Sequence, residues 1–318
     1  MLFITDQKLT RLSERFYCSF LGGKEMNYVL GIDAGGTKTQ FTTYDKKGEA
    51  LFDLHLSAGN IVVDTNRTLA VLRQGIQSVL EHQSGNCLGV LAGIAGIETS
   101  GLHHLVQHEL QQFQKTKVIS DAHLGLINKL EGADGALIIS GTGSVAYGSV
   151  DRNFYRVGGW GHLVGDEGSA YALALKCYRH IAQEMDHGSP LSRFSQEFLS
   201  FLDRNDPAKA ISELYQMNKA EVAQKSLFFS KTHLNDPITH QLLQETADEL
   251  IEMIRLLLNR MNQTQVKLAL AGSVLEKNHF IRESVVARLQ DQITEVVLSD
   301  SPNTKGAFYF YRKLLSST

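Results

Sequence analysis

Residues 28–44 read YVLGIDAGGTKTQFTTY, and residues 135–150 read GALIISGTGSVAYGSV. Each is an apolar run of strand length, a turn of small and hydroxyl residues, and a second run with strand character. In the first copy Tyr28–Asp33 is the strand, Gly35-Gly36-Thr37 turns it, and Lys38–Tyr44 returns. Asp45-Lys46-Lys47-Gly48 then has hairpin chemistry, leading into a third strand over Glu49–Leu56. In the second copy Gly135–Ile139 leads through Ser140-Gly141-Thr142-Gly143-Ser144 to Val145–Val150, and Asp151-Arg152-Asn153 turns the chain into Phe154–Val157. Ile32 and Ile139 occupy equivalent places, an offset of 139 − 32 = 107 residues. That is far too long for a solenoid repeat and implies a duplicated α/β domain with a cleft between the copies.

The remaining segments fit this frame. Asp64 and Thr65 offer an N-cap ahead of Leu69, Leu72, Ile76, Val79 and Leu80, spaced as on one helix face. Leu88–Ala95 is a buried strand rich in small residues, a polar helix carries Leu102, Leu105, Val106 and Leu110, and Lys117–Ser120 is another strand. After the second triplet of strands come an extra helical region from Ser192 to Ser230 and a long amphipathic helix over Thr239–Met261. Strands over Val266–Ala271 and Val296–Leu298 and a closing helix over Asn303–Leu315 complete the chain. The expected division is 26–122 for the first domain, rejoined by 303–318, and 123–302 for the second. Residues 1–25 lack a strand or helix period and lack the apolar core of a secretory signal, so they read as an extension. Gly22-Gly23-Lys24-Glu25 before Met26 is what a ribosome-binding sequence would encode, making Met26 the expected start.

Composition narrows the class. The chain has 318 residues, 43% hydrophobic and 20% charged, with 27 Gly against 4 Pro, which excludes disordered and collagen-like chains. A net charge of −3 without long runs of either sign argues against nucleic-acid or anionic-membrane partners. Cys18, Cys87 and Cys177 are scattered and unpaired in spacing, as in a reducing, cytoplasmic setting, and the 12 His show no metal-ligand spacing. Neither a Walker pattern nor G-x-G-x-x-G occurs.

The two turns carry the chemistry. Gly35, Gly36 and Thr37, and again Thr142 and Gly143, put backbone N–H groups and hydroxyls where a polyanion can approach. Asp33 at the strand end is placed to hold Mg²⁺ through water; the bland alternative is a solvated Asp beside a hairpin turn. Gly272 and Ser273, between a late strand and a helix, suit either a nucleotide's base and ribose or a tight connection. Asp121 ends a strand and opens a helix, which fits either an N-cap or a general base that orients an acceptor hydroxyl and takes its proton late. Residues 158–169 surround the chain's single Trp, Trp160, with glycines such as Gly159 and follow it with Asp166 and Glu167. So much costly glycine backbone has a purpose if the loop recognises a polar ligand, with Asp166 accepting hydroxyl protons.

Four motifs in this order, G-I-D-A-G-G-T-K-T at Gly31–Thr39, S-D-A at Ser120–Ala122, S-G-T-G-S at Ser140–Ser144 and G-G-W-G-H-L-V-G-D-E-G-S-A-Y at Gly158–Tyr171, resemble the sugar kinase/Hsp70/actin superfamily of ATPases. Within it the chain resembles the N-acetylglucosamine kinases and their BadF/BadG-type ATPase relatives, from about Asn27 to the C-terminus. The resemblance implies two ribonuclease-H-like, actin-like ATPase domains closing on ATP and an amino sugar, with phosphate moved to the 6-hydroxyl. It places Thr37 and Thr142 at ATP phosphates, Asp121 as catalytic base, and Asn60, Gly159, Trp160 and Asp166 at the sugar. It also implies Mg²⁺, a homodimer and Ala223 facing adenine. Glucosamine and N-acetylmuramic acid are the alternative acceptors. An ATPase activating a partner enzyme is the alternative class, and the wide separation of Cys87 and Cys177 argues against its iron–sulfur form. A nucleotide-binding sensor without turnover is a third.

Overall fold

A computed structural model describes residues 26–151, 153–230, 236–298 and 301–316; the reading of residues 1–25 as an extension lies outside them. The first half holds strands β1 (Asn27–Ala34), β2 (Lys38–Tyr44), β3 (Ala50–Ser57), β4 (Asn86–Ile94) and β5 (Thr116–Ile119), in sheet order β3-β2-β1-β4-β5. The second holds β6 (Gly135–Ser140), β7 (Ser144–Val150), β8 (Asn153–Gly158), β9 (Val266–Ala271) and β10 (Ile293–Val297), in order β10-β9-β6-β7-β8. In each sheet the first three strands are antiparallel and the last two run parallel to the first or to each other. The two sheets thus have one topology, and the chain is a duplicated α/β fold of the ribonuclease-H-like kind with a cleft between its halves.

Helices cover both faces. In the first half α1 (Thr65–His82), capped by Asp64, which accepts from the Arg67 N–H, buries Leu72, Ile76 and Val79 against Ile32, Phe41 and Ile94. Helices α2 (Ile97–Ser100) and α3 (His103–Gln111) follow β4. In the second half α5 (Ala170–Asp186) and α9 (Pro237–Met261) form the core with α6 (Arg193–Phe201), α7 (Pro207–Leu214) and α8 (Lys219–Gln224), rich in edge-to-face Phe pairs such as Phe198–Phe228. Helices α10 (Ser273–Lys277) and α11 (His279–Arg288) link β9 to β10. The last strand differs from the apolar run Val296–Leu298: β10 begins three residues earlier because it is an edge strand, where polar Thr294 and Glu295 face water at no cost. The long helix also starts two residues early, with Asp236 capping it and Pro237 at its first turn.

Between the halves lies α4 (Asp121–Lys129). Its Leu124 and Ile127 pack with Val29, Leu91 and Phe308, while Leu126 meets Leu137, Tyr147 and Ala269 of the second sheet. The C-terminal helix α12 (Gly306–Ser316), after a 3₁₀ turn at Asn303–Lys305, returns to β1 and β4. Tyr44 and Thr304 hydroxyls share a 2.8 Å hydrogen bond, and the Tyr311 hydroxyl donates to the Val90 carbonyl at 3.1 Å. This close approach needs bare backbone: a Cβ on Gly31 would stand 1.9 Å from the Thr304 carbonyl oxygen, and one on Gly93 would stand 2.7 Å from Leu124.

Gly31→Ala is therefore expected to destabilise the protein by about 1–3 kcal/mol, the usual cost of overpacking. Chemical denaturation would measure it, and the exposed Gly36→Ala, where a Cβ meets nothing within 4 Å, serves as the neutral control for stability.

Candidate active site

On the first half, the end of β1 carries Asp33 into the turn Gly35-Gly36-Thr37. The Gly35 N–H donates to the Lys38 carbonyl at 3.0 Å, and the Gly35 carbonyl accepts from Gly59 at 2.9 Å. Gly36 and Thr37 are exposed, and the space beside Gly36 is open. Asn60 follows Gly59; its Oδ1 accepts from the Val62 N–H at 3.1 Å, which shapes the loop against Gly96. Burial pushes the Asp33 carboxyl up, opposed by the Asn303 amide, which donates to it at 3.2 Å, and by Lys38.

Asp121 is not the helix cap. Ser120 holds that position, its hydroxyl accepting from the His123 N–H, and Asp121 is the first helical residue. Its carboxylate accepts from the Ala122 N–H at 3.0 Å. Burial raises its pKa above the usual carboxylate range, and the charges of Asp33 and Glu98 raise it further. Three acids from β1, α2 and α4 thus share one region.

On the second half, two hydroxyls at the ends of the β6–β7 turn staple the next loop in place. Ser140 donates to the Gly168 carbonyl and Ser144 to the Glu167 carbonyl, both at 2.6 Å, leaving Thr142 exposed at the tip. Asp166 lies beneath this turn, 3% exposed and in a left-handed conformation (φ 67°). Its Oδ1 accepts from the Ser144 N–H at 3.3 Å and its Oδ2 lies 2.6 Å from the Lys219 ammonium. The structure therefore places Asp166 against the second turn, engaged by protein groups. Gly272 abuts the same turn: a Cβ there would stand 2.4 Å from the Ser140 carbonyl oxygen. Thr142 and Ser273 open onto a cavity of about 480 Å³ whose walls include Ala223, Val274, Phe229 and Phe280.

A third cluster joins the halves, and little in the sequence announces it. Glu98 of α2 has His123 Nδ1 at 3.2 Å, the Tyr147 hydroxyl at 3.4 Å and Arg156 Nη1 at 3.5 Å. The His123 ring packs against Tyr147 and Phe154, and burial pushes its pKa down while Glu98 opposes. Arg156 also donates to the carbonyls of Gly158 and Gly159, and its guanidinium stacks 4.8 Å over Trp160. Trp160 is 68% exposed despite that contact. The signal available in sequence was a Glu in the short Gly96-Ile97-Glu98 segment that follows the strand; its partners 25, 49 and 58 residues on belong to no motif.

The arrangement offers amides and hydroxyls on two turns to a polyanion, an apolar cavity to a ring system, and the Asp121 carboxylate to a hydroxyl-bearing ligand. Comparisons with known proteins bear on the chain as a whole. The family model described as the BadF/BadG/BcrA/BcrD ATPase family matches residues 30–308. The chain is 27% identical over 270 residues to an N-acetylmuramic acid/N-acetylglucosamine kinase of Clostridium acetobutylicum, covering 80% of this chain and 88% of that one. It is 23% identical over 262 residues to a glucosamine kinase of Vibrio cholerae, covering 79% and 86%. A crystal structure of a candidate N-acetylglucosamine kinase from Chromobacterium violaceum shares the fold, with a TM-score of 0.67 at 18% identity over 91% of this chain and 99% of that one.

The raised Asp121 pKa sets a stability prediction. Between the ordinary value of 3.8 and the raised native value, the native state holds a proton that the unfolded chain has released, so stability falls as pH rises through that window. Asp121→Asn cannot ionise and should melt at a higher temperature than wild type at neutral pH, the gain shrinking as pH is lowered towards 3.8. An unchanged or lower melting temperature at neutral pH would contradict this origin of the shift. Glu98→Gln is expected to weaken binding of the hydroxyl-bearing ligand by loosening Arg156 and, through it, the Gly158–Trp160 turn, with nucleotide affinity unchanged in a direct titration.

Proposed function

The chain belongs to the BadF/BadG/BcrA/BcrD ATPase family, and within it we propose an ATP-dependent amino-sugar kinase that transfers the γ-phosphate to the 6-hydroxyl of N-acetylglucosamine. The observation that carries this reading is the position of Asp121. It is a half-buried carboxylate that accepts from the Ala122 N–H, on the helix shared by both halves, near Asp33 and Glu98.

In this reading the adenine lies in the cavity beside Ala223, Gly272 and Ser273, and the phosphates meet Gly35, Gly36, Thr37, Thr142 and Gly143. The open space beside Gly36, which a Cβ would occupy, fits that role. Asn60, Gly159, Trp160 and Asp166 line or support the sugar. Asp121 accepts the hydrogen bond of the 6-hydroxyl and aims its oxygen at the γ-phosphorus. As the oxygen–phosphorus bond forms and the bond to ADP breaks, the proton passes to Asp121 and the bonding pair leaves with ADP. The transition state is loose, so orientation matters more than basicity, and a raised pKa helps the late transfer.

No group of three or more His, Cys, Asp or Glu side chains among the described residues is arranged to hold a metal. Mg²⁺ needs only one or two carboxylates beside waters and phosphate oxygens, and Asp33, with one oxygen on Asn303, fits that demand. Bound there, the ion would neutralise charge on the phosphates.

Two features support an acetylated sugar over a free amine. An ammonium at C2 would want an unpaired carboxylate, yet Glu98 is engaged by His123, Tyr147 and Arg156. Apolar side chains on both loops, Val63 (81% exposed) after Asn60 and Leu163 (86% exposed) after Trp160, offer surface suited to an acetamido methyl. The activator reading in its iron–sulfur form is disfavoured by Cys87 and Cys177. Each is a free thiol buried in a different core, and burial raises the pKa of both, that of Cys87 to about 11.

The deciding experiment follows ADP release from Mg-ATP alone and with N-acetylglucosamine, glucosamine or N-acetylmuramic acid. N-acetylglucosamine should stimulate most strongly, with the phosphate found on C6 by NMR, and Asp121→Asn should lower turnover on the order of 10²–10⁴-fold while retaining nucleotide binding. ATP hydrolysis indifferent to every sugar would instead support the partner-activating ATPase.

A further inference from the structure

The two turns offer amides and hydroxyls to a nucleotide's phosphates but, Lys38 apart, no cation of their own. A second cation stands beside them from an unexpected quarter. Lys219 is the first residue of α8, and its ammonium lies 2.6 Å from Asp166 Oδ2. A Cβ placed on Gly143 would stand 2.8 Å from that ammonium and 2.8 Å from Asp166 Oδ1, so the charge presses directly on the Ser140–Ser144 turn.

The position of Lys219 is set by its surroundings. Asn218 and Glu221 form a reciprocal capping box: Asn218 Oδ1 accepts from the Ala220 and Glu221 N–H groups, both at 3.0 Å, and Glu221 returns a 2.7 Å bond to the Asn218 N–H. The backbone at Lys219 is thereby held, and the next residues along the same helix, Ala220 and Ala223, form part of the cavity wall that also includes Thr142 and Ser273. The lysine therefore stands at the end of the cavity where Thr142 and the second turn lie. Asp166 is nearly sealed from water, whereas the Lys219 side chain remains 33% exposed. An ammonium has three donors, so one can stay on Asp166 while another faces an incoming anion.

We propose that Lys219 is a phosphate ligand of the nucleotide, held ready by Asp166 beside the second turn and shared between that carboxylate and a terminal phosphate oxygen when ATP or ADP is bound. This rests on the reading that the second turn receives the nucleotide's phosphates. Asp166 then serves the nucleotide as well as any sugar: it orients the cation and, through the Ser144 N–H, the turn itself. Lys219 also ties α8 to the β6–β7 turn, so filling the cavity and closing on the phosphates become one event.

The test is equilibrium binding of adenosine, AMP, ADP and a non-hydrolysable ATP analogue to the full-length protein and to Lys219→Met and Lys219→Arg. Loss of one charged hydrogen bond predicts roughly ten- to hundredfold weaker binding of ADP and the ATP analogue to Lys219→Met. Adenosine should bind as to wild type, and Lys219→Arg should recover most of the loss. Because Lys219→Met leaves Asp166 buried without its cation, the double variant Lys219→Met/Asp166→Asn, which removes both charges, is measured beside it and should show the same discrimination between ADP and adenosine. Equal weakening of all four ligands would make Lys219 a mere prop of the cavity wall, and unchanged affinity for all four would remove it from the site; either overturns the proposal while leaving the nucleotide site intact. Failure of wild type to bind any of the four would overturn the nucleotide reading and this proposal together.

Discussion

The structure depends on how closely two helices approach the first sheet. Thr304 and Leu124 sit where side chains on Gly31 and Gly93 would otherwise stand, so α4 and the 3₁₀ turn that leads into α12 lie almost on the backbone of β1 and β4. Close packing on bare backbone tolerates no added methyl group, and it fixes the depth of α4. Since α4 also buries Leu126 and its C-cap residue Leu130 against the second sheet, its position relates the two halves. Its first residue, Asp121, is thereby delivered to the region where β1 ends in Asp33 and α2 presents Glu98.

The charges in this region are unevenly compensated, and the unevenness has a use. Glu98 is met by Arg156 and by donors on His123 and Tyr147, and Asp166 is met by Lys219 and a backbone N–H. Those carboxylates act as struts, each fixing a loop that faces the cleft. Among the described residues Asp33 accepts from the Asn303 amide and Asp121 from the Ala122 N–H, burial raises the pKa of both, and each retains capacity for another ligand. Buried groups left incomplete by the protein are the ones that gain most when a substrate or ion supplies the missing partner. The division between struts and open carboxylates thus separates the residues that build the cleft from those that do chemistry in it.

Much of this was legible along the chain. The 107-residue offset between Ile32 and Ile139, the two Gly/Thr-rich turns and the glycine-rich loop around Trp160 are local patterns, and backbone hydrogen bonding and turn chemistry make local patterns readable. They determined the duplicated fold, the ends of its strands and the candidate positions Asp33, Thr37, Asp121 and Thr142. Even here the boundaries moved where tertiary context outweighed local composition. Ser120 took the cap that Asp121 also suited, because a cap is chosen by the direction in which the strand enters the helix. β10 runs through polar residues that only an edge position permits.

What the sequence left open is what joins distant segments. Glu98 finds its partners 25 to 58 residues away, and Asp166 meets Lys219 across a helical insertion whose contact with the second turn no spacing rule reveals. Side-chain pairing of this kind follows from the relative placement of rigid elements, set by packing against glycine-lined backbone, and carries no periodic trace in the chain. The sequence alone determined the fold and which residues lie on the cleft turns. Tertiary structure alone decided which carboxylates are already satisfied and which remain open, because a charge is satisfied or left open by neighbours that only folding brings within hydrogen-bond reach.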